Sequence, residues 1–435
     1  MLRSISTAFV LALLFGMGPA YGQSDFVIST VLPDSSAPAS ATIDSRADSD
    51  SDDDRPTWDG VGPTVSDHAD TYVGAYAGHG ALYERESLIY RTPPPLRYNR
   101  VEGPVVGVHR EPLRFGSHDD TRVFGQFAYA FELEDLRYTV GLESQLYSTE
   151  RVGLKLGATY QEQTLSSDRW KTSYLENSLA SVGFRYDFFD YYEAEGVTIY
   201  GVQDLPGSFQ LAGGFRTEEH RTLAVNTNWS IFGDGSFRPN PAIDEGRLQL
   251  LFASLTAGRV RDLDDLPTGG AVRLAAMTTD GLAGDFSFTR YEADGRVFLP
   301  LTSDTRLGLR IRGGYVTEGA PSQSQFTLGG VGSVRSYGQN RFRGTRMLLG
   351  NAEYMIDGAT LLDGALDDLF LVGLADAGWV GGPGDRPQME EVYPSAGFGV
   401  GLEERRVRLD VTWPLRDVPG AGSSPSIWLR ITPNF

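Results

Sequence analysis

The chain has 435 residues, a formal net charge of -19, 40% apolar residues and a mean hydropathy of -0.24. That is too polar for a bundle of membrane helices, and the negative charge argues against nucleic acid as a partner, because nucleic acid selects basic surfaces. With no cysteine there is no disulfide, thiolate metal site or lipidated Cys anchor, while 52 Gly, 20 Tyr and 11% aromatics suit strands with one face in lipid and one in water.

Residues 1–22 read as a signal peptide. Arg3 supplies the positive start, Phe9–Phe15 an apolar core too short to span a bilayer, and Ala20-Tyr21-Gly22 small residues before a cut at Gln23. Residues 23–97 read as an acidic, Gly/Pro-rich and largely disordered segment. Within it, residues 44–59 hold seven Asp (Asp44, Asp48, Asp50, Asp52, Asp53, Asp54, Asp59) against two Arg. Such a stretch buries too little surface to offset its ordering entropy. Asp48, Asp50 and Asp52 carry a D-x-D-x-D spacing, but the Gly and distant Glu of a calcium loop are missing, so a solvated linker is expected and no metal site. Pro93-Pro94-Pro95 marks a stiff entry to the region of alternating residues.

From Tyr98 the period becomes two. In 123–131, Val123, Phe127, Tyr129 and Phe131 share one face and Gln126 and Ala130 the other. Tyr138, Val140 and Leu142 alternate with Arg137, Thr139 and Glu143; Val152, Leu154, Leu156, Ala158 and Tyr160 alternate with Lys155 and Thr159. Leu307, Leu309 and Ile311 alternate with Arg306, Arg310 and Arg312; Val407, Leu409, Val411 and Trp413 alternate with Arg406, Arg408, Asp410 and Thr412. Successive strand residues point to opposite faces, so each run has one oily and one charged surface. A soluble β-sandwich shows the same alternation. Charge throughout the polar face and a last run (Ile427, Leu429, Ile431) ending on Phe435 favour instead an all-β transmembrane antiparallel barrel over 98–435. In lipid only a closed barrel satisfies the backbone with strands.

Six segments stand in order: Leu328-Gly329-Gly330; Val334-Arg335-Ser336-Tyr337-Gly338; Gly350-Asn351-Ala352-Glu353-Tyr354; Ala375-Asp376-Ala377-Gly378; Gly397-Phe398-Gly399-Val400-Gly401-Leu402; and Arg408–Leu415. Together they resemble the barrel end of the Omp85 superfamily (bacterial surface antigen D15), which includes BamA, TamA and the two-partner secretion transporters. Tyr98–Gly103 looks like that family's first barrel strand, and Ile427, Leu429, Ile431 and Phe435 like its assembly signal, read by the barrel assembly machinery during biogenesis.

The resemblance implies sixteen strands with both ends in the periplasm and residence in the outer membrane, in contact with its lipid. Asp262–Thr268 would be a periplasmic turn; Arg216–Glu245 and Val316–Thr345 would be extracellular connections, the second folding into the lumen. Its motif, Val334-Arg335-Ser336-Tyr337-Gly338, has Ser336 where Gly is usual, so the tight approach a glycine allows is expected to change. Carried over by position, Arg335 would pair with Asp376 and Glu353, two carboxylates that suit a confined guanidinium fork. Pro104 in the presumed first strand and Pro433 in the presumed last would weaken the barrel seam, which the resemblance implies acts as a lateral gate; the alternative is that both lie beyond the paired region.

The periplasmic POTRA domains of relatives find no matching pattern in 23–97, so a barrel without them is expected. The five His (His68, His79, His109, His118, His220) are scattered, no G-x-S-x-G occurs, and neither an enzyme nor a cofactor is expected. The leading function is assistance in inserting or translocating polypeptide, or lipid, at the outer membrane, with a client polypeptide or a separate periplasmic docking protein as partner. The alternatives are a passive pore, in which Arg306, Arg310, Arg312, Arg406 and Arg408 favour anions, and a structural barrel that displays loops.

Overall fold

In the computed structural model the chain divides into two units, Met1–Arg55 and Pro56–Phe435. The structure describes residues 83, 87–115, 120–149, 152–263, 266–358, 369–402, 407–418 and 424–431, all in the second unit. The expected signal peptide, the Asp-rich stretch, His68, His79, His118, Arg406, Pro433 and Phe435 lie outside the described residues.

The strands run β1 (Arg97–Asn99), β2 (Gly103–Phe115), β3 (Thr121–Ala130), β4 (Asp135–Ser148), β5 (Gly153–Leu165), β6 (Tyr192–Leu205), β7 (Phe209–Thr222), β8 (Gly246–Leu263) and β9 (Leu266–Thr278). They continue with β10 (Thr289–Pro300), β11 (Thr305–Val316), β12 (Phe326–Leu328), β13 (Phe342–Gly344), β14 (Arg346–Asp357), β15 (Leu369–Gly381), β16 (Tyr393–Leu402), β17 (Val407–Pro414) and β18 (Ser426–Ile431). All but β12 and β13 form one 16-stranded antiparallel sheet in which each strand pairs with the next in sequence. β12 and β13 make a separate hairpin within the connection between β11 and β14.

The side-chain pattern is inverted relative to a soluble sheet. Val123, Phe127, Tyr129, Val140, Leu142, Leu309, Ile311, Leu409 and Leu429 are exposed, while Arg122, Arg137, Lys155, Arg306, Arg310, Arg312 and Arg408 are buried. Charged residues are almost never fully buried unless paired, and a soluble protein does not wrap itself in a continuous apolar band. Both observations are accounted for if the outer face meets hydrocarbon and the inner face lines a polar lumen. This excludes the sandwich that the period alone allowed.

The three longest connections, 166–191, 223–245 and 317–345, all lie at one end of the sheet. β1 is only three residues long. Asn99 Oδ1 accepts from the backbone N–H groups of Val101 and Glu102 at 2.9 and 2.8 Å, and Gly103 takes φ +67°, so the chain reverses at 100–102 into β2. This corrects the reading of Tyr98–Gly103 as one strand. It also moves Pro104 out of the first strand: it lies in β2, opposite Tyr98, and its carbonyl accepts from Phe131 N–H at 3.0 Å. The expected connection at 216–245 is shorter than anticipated, because β7 continues through Arg216–Thr222. Its run FRTEEHRT has few apolar outer positions, which hid the strand. The turn expected at 262–268 is tighter, with Leu263 already paired to Leu266.

Among the described residues one α-helix, α1 (Tyr174–Phe184), lies in the connection between β5 and β6. Ser173 caps its N-terminus by accepting from Glu176 N–H, and Arg185 ends it in the left-handed conformation (φ 61°), giving its N–H to Ala180 and Ser181 carbonyls.

Candidate functional site: the lumen and its inward-folded loop

The connection between β11 and β14 folds inward and lies against the sheet. Val331, Val334, Arg335 and Tyr337 are fully buried. Gly378 on β15 permits this approach: a Cβ there would stand 2.6 Å from Val334 Cγ2 and 2.9 Å from Leu328 Cδ1. At Gly332 (φ +69°) a Cβ would fall 2.0 Å from the Lys171 carbonyl, so the loop tip is pressed against the β5–β6 connection. Lys171 Nζ in turn reaches Asp168 Oδ1 at 2.9 Å and Thr327 Oγ1 at 2.8 Å, and also bonds Asn340 Oδ1.

Arg335 is the loop's main polar anchor. Its Nη1 lies 2.7 Å from Glu353 Oε1 on β14, and its Nη2 and Nε lie 2.9 and 3.1 Å from Asp376 Oδ1 and Oδ2 on β15. Its backbone N–H also donates to Asp376 Oδ2 at 3.1 Å. The structure therefore brings together the three residues the motif singled out. Burial alone would pull the guanidinium pKa down; Asp376, Glu353 and Asp410 more than reverse this and hold it charged. Asp376 is held in place by Asn351 Nδ2 at 2.7 Å and Ser395 Oγ at 3.0 Å.

The motif reading missed the rest of this cluster. Arg408 donates to both Glu353 oxygens at 3.0 and 3.1 Å, and its Nε lies 2.7 Å from Asp410 Oδ1. Trp428 on β18 donates from Nε1 to the Arg335 carbonyl at 2.8 Å, so the loop tip reaches the last strand. The available signal was alternation: Arg408 and Asp410 sit two apart on the inward face of β17, as Trp428 and Arg430 do on β18. Ser336, expected to disturb the tip, does not need a glycine's freedom, because its φ is negative; Ser426 Oγ donates to its carbonyl at 3.3 Å. Tyr337 donates to the Pro394 and Arg416 carbonyls at 3.2 and 3.3 Å. Gly338 has open space around its Cα, so its lack of a side chain is not required by packing. Ile427 and Leu429 face outward on β18, with Ile431 at its end.

Of the arginines expected to favour anions, the four described ones are buried: Arg310, Arg312 and Arg408 in ion pairs and Arg306 among backbone carbonyls. Arg310 and Arg312 reach Asp294 Oδ2 at 2.5 and 3.0 Å, and Arg312 also reaches Glu292 Oε2 at 3.0 Å. Arg306 donates to the carbonyls of Thr302, Ser303 and Thr305. A ring of uncompensated cations, which the pore reading needs, is not what these four side chains form once Arg408 is counted with Glu353. His109 lies on β2, and His220 on β7 bonds Glu218 Oε2 and Gln323 Nε2, each at 3.3 Å.

The lumen also holds the chain's own upstream segment, which sequence reading placed in the disordered stretch. Tyr83 donates to the carbonyls of Ala271 on β9 and Asp294 on β10 at 2.9 and 3.0 Å. Tyr90 donates to Glu143 on β4 at 2.8 Å, and Arg91 pairs with Glu218 on β7 at 2.7 Å. Thr92 bonds Thr139 at 3.0 Å, and Gln126 donates to the Pro93 carbonyl at 2.7 Å. The contacts move from β9–β10 across to β3–β4, so the segment crosses the interior before forming β1. Composition could not reveal this, because each anchor is a single side chain meeting a distant strand.

A sheet with an apolar outer face, a charged inner face and a long loop pinned against that inner face defines a transmembrane β-barrel protein. The Omp85 superfamily domain model matches residues 126–431, and the chain belongs to that superfamily, whose barrels are bacterial outer-membrane proteins. No curated protein sequence matches the chain. Among solved structures, it is similar to BamA from Haemophilus ducreyi lacking POTRA domains 1–3, at 12% identity over 77% of this chain and 68% of that one, with a TM-score of 0.47. It is also similar to CdiB from Acinetobacter baumannii, at 13% identity over 75% of this chain and 56% of that one, TM-score 0.43. For CdiB from Escherichia coli the identity is 11% over 77% of this chain and 60% of that one, TM-score 0.40. The chain thus spans less than two thirds of either CdiB.

Proposed function

We propose that this barrel assists the insertion or translocation of polypeptide, or lipid, at the bacterial outer membrane, with its long loops outside and both barrel ends in the periplasm after removal of residues 1–22. Membership of the Omp85 superfamily supports the reading. The observation that carries it is the loop tip: Arg335 is gripped by Glu353 and Asp376 while its carbonyl takes a bond from Trp428 on the last strand of the sheet. The loop is thereby tied both to the wall and to the sheet edge, where a client would have to be engaged. Lumen ion pairs hold the loop, and client delivery falls to a separate periplasmic protein. Val108 on β2 and Leu429 on β18 both face outward near the two edges. A photo-crosslinker at either position is expected to capture nascent outer-membrane polypeptide in cells. Absence of any polypeptide adduct from both positions, with the protein folded in the membrane, would overturn the reading.

A further inference from the structure

We propose that His220 is a pH-sensitive catch, holding the base of the inward-folded loop against the barrel wall when neutral and releasing it when protonated. The inference goes beyond the function proposed above and rests on the contacts of one buried ring. His220 stands on β7 near its long-loop end and is 2% exposed. Its Nε2 lies 3.3 Å from Glu218 Oε2 on the same strand. Its Nδ1 lies 3.3 Å from Nε2 of Gln323, in the connection between β11 and β14. One ring thus joins the wall to the loop.

The partners fix which ring nitrogen carries a proton. Glu218 also takes bonds from Arg91 at 2.7 Å and Gln161 at 3.1 Å, as an ionised carboxylate does, and such a group only accepts. His220 Nε2 is therefore the donor, and in the neutral ring Nδ1 is left as an acceptor. Gln323 meets it with its nitrogen because the backbone of Asp244 sets the amide. Gln323 Nε2 donates to the Asp244 carbonyl at 2.9 Å, and its Oε1 accepts from the Asp244 N–H at 3.3 Å. A proton added at Nδ1 would set one N–H donor against another. Turning the amide over to offer its oxygen would break both bonds to Asp244. A buried ring N–H without an acceptor is costly, so the charged ring and the docked Gln323 exclude each other.

Among the described residues, the charged or titratable groups around the ring come from several elements. They are Glu218 and Arg216 on β7, Arg91 on the upstream segment, Tyr192 on β6 with its ring 4.9 Å away, and Asp244 in the 223–245 connection. Behind them, Arg290 on β10 acts on Tyr192, and Arg343 on β13 donates to the Ser322 carbonyl next to Gln323. Arg91 and Arg216 lie 2.7 and 3.6 Å from Glu218 Oε1, the oxygen His220 does not use, so the carboxylate's charge is met without the ring. Histidine ordinarily changes charge between about pH 5 and 8. Release falls on the base of the loop, where Ser322 N–H also donates to Asp244 Oδ2 at 2.7 Å. Gln323 lines a small cavity with Tyr192, Ile243 and Arg343, which gives its side chain room to swing. The tip is held separately, through Arg335, by an anchor that contains no histidine. Acid therefore frees one end of the loop and leaves the other attached.

The test uses the full chain in lipid vesicles, with folding checked by the heat-dependent shift on gels. Amide exchange of residues 320–326, corrected for intrinsic rates, is followed from about pH 8 to about pH 5.5. In wild type it is expected to speed about tenfold across this range, while residues 331–337 and β8–β10 stay unchanged. His220→Gln, whose amide carries no charge at any of these pH values, is expected to give a flat profile. Gln323→Glu sets an acceptor opposite Nδ1 and is expected to invert the trend, with slower exchange in acid. A flat wild-type profile would overturn the proposal, as would a step that survives His220→Gln or runs in the same direction in Gln323→Glu. None of these readouts needs a client, so a failure here is separate from a failure to capture polypeptide.

Discussion

Arg335 shows how much one side chain does in this lumen. It makes bonds to two strands, and its removal leaves Asp376 and Glu353 buried with Arg408 alone to compensate. Breaking a buried pair by deleting one partner costs about 3–5 kcal/mol, so Arg335→Ala is expected to lower the urea midpoint of the folded barrel by a corresponding amount. Arg335→Lys should recover only part, because an ammonium cannot present the planar fork that engages Asp376 through two nitrogens. Glu102 poses a pH question. Burial pushes its carboxyl up, but Arg97 at 2.5 Å, Asn99 at 2.6 Å and Arg137 overcome this and hold it below its ordinary 4.5. A carboxyl with a depressed folded value stabilises fully above its unfolded value and loses that contribution as pH falls through the folded one. Amide exchange in the β1–β2 turn should therefore be slow and constant from about pH 7 to 5 after correction for intrinsic rates, then accelerate as the pH drops below about 4; Glu102→Gln should abolish the acid step.

At the scale of elements, each strand is specified by its two faces. Ile311 on β11 faces outward between inward Arg310 and Arg312. Arg on the lipid face near the bilayer midplane destabilises a barrel by about 2–4 kcal/mol, so Ile311→Arg should lower stability in vesicle unfolding, although the residue is the same type as its two neighbours. The inward-folded hairpin β12–β13 depends instead on close approach. Gly378→Val is expected to displace it, since the added side chain would meet Val334 and Leu328; faster proteolysis of the 317–345 connection in intact vesicles would register the release.

At the scale of the molecule, the interior is occupied. Tyr83 and residues 87–95 make contacts across the lumen, and the β11–β14 loop lies against its wall. Single-channel current through the full chain should therefore be low. Weakening the segment's anchors with Tyr83→Phe, Tyr90→Phe and Arg91→Ala together is expected to raise the conductance in planar bilayers; equal current in both proteins would show that the crossing segment does not limit flow.

The period-two alternation sets the strands, their inward and outward faces and therefore the barrel class, because in a two-sided environment each side chain reports its own solvent. The resemblance also singled out Arg335, Glu353 and Asp376, and in the structure these form ion pairs at 2.7 and 2.9 Å. Other features emerge only in three dimensions: the lumen-crossing segment, Arg408 and Asp410 beside the loop arginine, and helix α1 bonded to Arg430 of β18. Each depends on residues far apart in the chain, such as Glu176 and Arg430, being carried together by the curvature and order of the sheet. A local pattern encodes what a residue faces, whereas the pairing of distant charges is decided by the path of the backbone between them.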